Sequence, residues 1–102
     1  MRALNHPLRK TLTLSRVLYA LSDPVRLSIV KSIDAHGEQP CGTFGLSVAK
    51  STASHHFRVL REAGVIQMRP EGTQYINSLR RKDLDSRFPG LLDAVLLASG
   101  PI

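Results

Sequence analysis

A single cysteine, Cys41, is all that the 102 residues contain, so no internal disulfide framework can staple the chain and no four-thiolate zinc site can be assembled. Long apolar runs are missing as well. The longest, near the C-terminus, is interrupted by Asp93 and falls far short of the ~20 residues that span a bilayer. The N-terminus lacks an apolar secretory core, which leads to the expectation of a cytoplasmic protein with no membrane partner. Acid is scarce: 8 Asp and Glu stand against 14 Lys and Arg, leaving a net charge of +6. Such a balance suggests a polyanionic partner, nucleic acid or acidic lipid, and charge alone does not choose between them. The chain also has no nucleophile motif and no phosphate-binding loop. Its adjacent His55 and His56 would point ~100° apart on a helix and could not converge on one substrate. Catalysis is therefore not expected, and no cofactor is implied.

What is present suits one ordinary domain, with 42% apolar residues. A chain of this size buries a little under roughly 70% of its unfolded surface, so its stability is marginal unless a partner chain adds to it. Residues 1–10 are basic, contain Pro7 and carry no capping signal; they read as a flexible lead-in. From 11 to 98 the pattern is that of a folded domain, with a tail over 99–102. Leu14, Val17, Leu18 and Leu21 recur at helical spacing and predict a first helix over 11–21. Asp23 and Pro24 supply an N-cap and an N1 proline for a second helix over 24–35, which carries Ile29, Val30 and Ile33 and stops at Gly37. Pro40 could begin a short third helix reaching Leu46, although Gly42 and Gly45 each oppose it by up to ~1 kcal/mol. The best-defined helix runs from Lys50 to Ala63, with Ala53, Phe57 and Leu60 inward and Gly64 as its stop. Val65–Arg69 and Thr73–Leu79 then predict a β-hairpin about Pro70, Glu71 and Gly72. A short polar helix follows and ends at Pro89, and Leu91, Leu92, Val95, Leu96 and Leu97 predict a last helix that is apolar around most of its circumference.

Helices, a better helix and a hairpin, in that order, make a mainly α fold with a β-hairpin wing, the winged helix-turn-helix. The surface chemistry of the better helix agrees. With Ala53, Phe57 and Leu60 inward, Ser51, His55 and Arg58 project within an arc of roughly 60° on the other side, flanked by Lys50, Thr52 and Ser54. Short hydroxyls permit close approach to bases, and His55 can donate or accept. Arg58 offers a planar fork to guanine or phosphate, and the helix N-terminus attracts phosphate. Glu62, one turn beyond Arg58, confines DNA contact to the N-terminal half. The plainer alternative is a solvated polar face. His56 lies toward the buried side and reads as a core-edge histidine, and Arg69 is a candidate wing contact to phosphate. The surplus of apolar residues in the first and last helices, Leu8 and Leu12 included, predicts a homodimer seam through Leu14, Val17, Leu18, Leu92, Val95 and Leu96. A winged-helix adaptor for protein partners is the competing function, but it would be expected to expose an apolar patch where this chain has a net-basic polar one.

The runs LSDPVRLSIV at 21–30, KSTASHHFRVLREAGVI at 50–66 and EGTQYINSL at 71–79 resemble the ArsR/SmtB family of bacterial winged-helix repressors, over roughly residues 14–98. The resemblance implies a symmetric dimer that blocks transcription from operator DNA until an effector loosens it, with Lys50, Ser51, Ser54 and His55 at the groove. Many relatives carry a serine N-cap where this chain has Ala49, a loss of ~1 kcal/mol at the helix start. Arsenic- and cadmium-sensing relatives place two cysteines at the start of the third helix, where EQPCGTFGL offers only Cys41. Zinc-sensing relatives use histidine and carboxylate in the last helix. Here no histidine follows His56, which leaves Asp83, Asp85 and Asp93 without nitrogen partners. No metal site is expected. Cys41 remains a candidate thiol sensor against the plainer role of a small buried hydrophobe, and the effector is expected to be a small organic molecule or a thiol oxidant.

Overall fold

Thr13 opens the first helix of the computed structural model, which describes residues 1–100; Pro101 and Ile102 of the expected tail lie outside the described residues. The Thr13 hydroxyl accepts from the Arg16 amide, so α1 spans Leu14–Leu21 and begins three residues later than its periodicity predicts. The preceding residues form a 3-10 turn, Arg9–Thr11, and then the extended Leu12. That extension sends Leu12 into the core at 2% exposure, which removes it from the surplus assigned to a dimer seam. Helix α2 spans Pro24–His36. The Asp23 carboxylate accepts from the amides of Val25 and Arg26 at 2.8 and 3.1 Å, and this bonding holds its pKa below the ordinary value.

The short helix expected over 40–46 is absent. Gln39–Pro40 instead form a two-residue strand, β1, followed by a 3-10 turn, Cys41–Thr43. Gly45 has φ +64°, outside the helical region, and Pro40, which has no N–H to donate, lies in β1. At the edge of a sheet that missing donor costs little. Helix α3 spans Lys50–Glu62 and is stopped by Gly64 at φ +85°, where a Cβ would collide with the Leu12 side chain. Both the backbone conformation and the close approach therefore require glycine.

Strands β2, Ile66–Glu71, and β3, Gln74–Leu79, form the wing in antiparallel register from Ile66 opposite Leu79 to Glu71 opposite Gln74. Pro70 belongs to β2 rather than to the turn. The sheet order is β1-β3-β2, with Gln39 opposite Asn77. Helix α4, Arg81–Arg87, and helix α5, Leu91–Ala98, close the fold.

One core joins these elements through Val17, Ala20, Ile29, Val30, Leu60, Val65, Ile66, Leu84 and Leu92. Full burial of each large aliphatic side chain is worth about 1.5–3 kcal/mol. Val17 and Leu92, expected at the dimer seam, are 1% and 2% exposed and serve this core instead. Leu14, Leu18, Tyr19 and Leu97 are the exposed large apolar residues of α1 and α5, while Val95 and Leu96 are half-buried.

The N-terminal lead-in, expected to be loose, is strapped across the wing. The Tyr75 hydroxyl donates to the Arg2 carbonyl, Arg61 to that of Asn5 and Arg80 to that of Pro7, each at 2.7 Å. The His6 Nε2 accepts from the Met68 amide at 3.0 Å, a donor that β2 leaves outward.

Candidate nucleic-acid interface

Burial of His56, Phe57 and Leu60 on the inner side of α3 leaves Lys50, Ser51, Thr52, Ser54, His55 and Arg58 exposed together on its N-terminal half. Ala49 occupies the N-cap position and contributes no side-chain hydrogen bond, so among the described residues no side chain caps the first amides of the helix. Those amides, the positive end of the helix dipole and Lys50 together make an anion-attracting end. Among the described residues, neither Lys50 nor Arg58 has a carboxylate within ion-pair distance.

The helix is held in place by a buried cation that the sequence reading missed. Arg26, 5% exposed, donates through Nε to the Ala20 carbonyl at 2.8 Å and through Nη2 to the Tyr19 carbonyl at 3.1 Å. Its Nη1 lies 3.2 Å from His56 Nδ1, and because a guanidinium can only donate, that nitrogen is the acceptor. His56 is thus the core-edge histidine that its position predicts, and it ties α3 to the α1–α2 frame. A signal for Arg26 was available: it stands at i of the i, i+3, i+4, i+7 series completed by Ile29, Val30 and Ile33, an inward position.

Arg69 is not brought to this face as a free cation. It donates in a two-pronged pair to Glu38 at 2.7 and 2.9 Å and to Glu71 at 3.0 Å. The pairing raises the Arg69 pKa further and holds Glu38 below the usual carboxylate range. Two acids around one base leave the base of the wing tip with no positive charge to offer phosphate.

Cys41 is half-buried, and its Sγ accepts from Asn77 Nδ2 at 3.2 Å. Burial pushes the thiol pKa up and outweighs the opposing effect of that hydrogen bond, so thiolate, the reactive form, is scarce. Asn77 is fully buried and also donates to the Gln39 carbonyl, stitching β1 to β3. The three C-terminal aspartates are engaged in ion pairs: Asp83 with Arg9 and Arg80, and Asp85 and Asp93 with Arg81. Among the described residues, no group of three His, Cys, Asp or Glu side chains is placed to hold a metal ion. No helix of the described residues is long and apolar enough to cross a membrane.

An exposed polar helix with an open N-terminus, fixed on a two-helix frame and followed by a hairpin, defines a winged helix-turn-helix DNA-binding protein. Comparison with known proteins narrows the class. The helix-turn-helix domain family matches residues 21–69. YceK, an uncharacterised HTH-type transcriptional regulator of Bacillus subtilis (strain 168), is 36% identical over 85 residues, covering 79% of this chain and 84% of that protein. Among solved structures, the transcriptional repressor BigR from Xylella fastidiosa superposes with a TM-score of 0.59 at 28% identity, over 74% of this chain and 85% of that one. An ArsR family transcriptional regulator superposes at 0.65 with 18% identity, over 85% and 97% of the two chains, a likeness of fold. The chain belongs to the HTH-type transcriptional regulators, a DNA-binding and non-enzymatic family, and its winged-helix fold is like that of an ArsR family regulator.

Proposed function

We propose that the chain is a sequence-specific repressor, which holds an inverted-repeat operator as a homodimer and lets go when an effector binds. The observation that carries this reading is the exposed α3 face. Lys50, Ser51, Thr52, Ser54, His55 and Arg58 surround an uncapped helix start, while Arg9, Arg69, Arg80 and Arg81 spend their charge on carboxylates. The base contacts fall to His55 and Arg58, and Lys50 and the first amides take phosphate. BigR is a transcriptional repressor, and the likeness to it supports the same direction of control here. Pairing across a two-fold axis through Leu14, Leu18 and Leu97 would set two α3 helices about one DNA turn, ~34 Å, apart.

The test is selection of duplexes from a random pool, followed by gel shifts. The expected outcome is one enriched inverted repeat, with Arg58→Ala and His55→Ala each weakening binding by about 1–3 kcal/mol at fixed salt. Lys50→Ala should weaken all sequences alike and lower the salt slope by about one. Wild-type binding by both the Arg58 and His55 variants would overturn the assignment of the face, and no enrichment at all would favour a protein-binding adaptor.

A further inference from the structure

Beside the exposed face of α3, between that helix and the wing, lies a cleft of about 700 Å³. Its size is within the roughly 300–1,000 Å³ of small-molecule sites. Leu4 of the N-terminal strap, Leu46, Phe57 and Met68 give it an apolar floor and walls. Lys50, Arg58 and Arg61 stand around it, and no Asp or Glu is among the described residues that line it. Arg61 uses Nη1 on the Asn5 carbonyl, and its remaining donors have no carboxylate partner among the described residues.

We propose that this cleft binds a free medium-chain carboxylate, and that DNA and this ligand exclude each other. The apolar floor calls for a hydrocarbon body, since water gains few hydrogen bonds there. Three cations without a carboxylate call for an anionic head, and the guanidinium fork fits a carboxylate with two parallel donors. A bare inorganic anion would leave the floor wet, and a neutral hydrocarbon would leave the cations uncompensated. Exclusion follows because Lys50, Ser54 and Arg58 line the cleft and also belong to the DNA-binding face. This last step rests on the proposed DNA contact, whereas binding of the ligand does not.

Methyl NMR of the DNA-free protein, titrated with decanoate below its micelle-forming concentration, is the direct test, with decanol and acetate as controls. Decanoate should shift the Leu4, Leu46 and Met68 methyls and saturate at one ligand per chain, and each control should bind at least about tenfold more weakly. Arg61→Gln should weaken decanoate by about tenfold, and Leu46→Trp, which fills the cleft, should abolish saturation, with circular dichroism confirming that both variants are folded. Decanoate should release the selected operator from wild type and not from Leu46→Trp. Absence of saturable decanoate binding, equal affinity for decanol, or shifts outside the cleft would overturn the site. An operator affinity unchanged at saturating decanoate would overturn the exclusion. Failure to bind any duplex without decanoate would instead sink the repressor reading and leave the ligand titration to stand by its own result.

Discussion

Arg26 caps the C-terminal carbonyls of one helix with a side chain from the next: it bonds the buried Ala20 carbonyl, and it shares the Tyr19 carbonyl with the amide and hydroxyl of Ser22. Arg26→Leu keeps the apolar stem and removes every donor. The loss should be about 3 kcal/mol, because the Ala20 carbonyl and His56 Nδ1 lose their donor, and thermal unfolding should show a Tm lower by roughly 10 °C or more. An unchanged Tm would mean that water replaces the guanidinium. His6 supplies a second residue-scale prediction. Its folded pKa lies below 6.5, chiefly through burial, then through the charges of Arg61 and Arg80, with a bond to the Leu4 carbonyl working the other way. Between 6.5 and the folded value the unfolded chain binds the extra proton, so stability is full above pH 6.5 and falls as pH drops through the folded pKa. Protonation also removes the acceptor for the Met68 amide. Exchange of that amide, corrected for its intrinsic pH dependence, should accelerate below pH 6.5 in wild type. In His6→Ala it should be fast throughout; a pH step that survives in the variant would assign the titration elsewhere.

At the scale of the element, α3 begins on an alanine whose backbone, φ −59° and ψ +150°, already has the geometry of a capping residue. Ala49→Ser should add the missing side-chain acceptor and stabilise the protein by about 1 kcal/mol, seen as a Tm higher by roughly 4–8 °C. No change in Tm would show that the first-turn amides are already well solvated. Elements whose start and stop are local were legible in the sequence: α2 from Asp23-Pro24 to Gly37, α3 from its inward series to Gly64, and the hairpin from its β-prone runs about Gly72. The exposed face of α3 was legible for the same reason, since it is the complement of Ala53, Phe57 and Leu60. Elements that depend on distant partners were not. Strand β1 is two residues long and exists only because Asn77 and Ile76 lie opposite, thirty-odd positions away in the chain. The capture of Arg69 by Glu38 and the closing of the cleft by Met1 and Leu4 depend on the same kind of contact, which no local pattern encodes.

For the whole molecule, the core leaves unburied apolar side chains on the two helices nearest its ends in sequence: Leu14 at 48%, Leu18 at 44%, Tyr19 at 61% and Leu97 at 85% exposure. Dimerisation would cover them. Leu97→Glu tests this without threatening the fold, because the side chain packs against little in the single chain. Light scattering at micromolar concentration should give a dimer mass for wild type and a monomer mass for the variant, with operator affinity lost in step. A monomeric wild type would defeat the two-fold arrangement.

The strap has a consequence for the order in which this protein is made. Its bonds join Asn5 to Arg61, His6 to Met68, Arg2 to Tyr75 and Pro7 to Arg80, while the Leu12 carbonyl accepts from Arg87. Residues 2–12 leave the ribosome before residues 61–87 and have none of these bonds until those follow. Closing a loop of this length costs more entropy than closing the hairpin, though the cost grows only slowly with length. A nascent chain halted before residue 61 would carry α1 and α2 with residues 2–7 unfastened, and Leu4 would take its place beside the cleft only after residues 61–80 had been made.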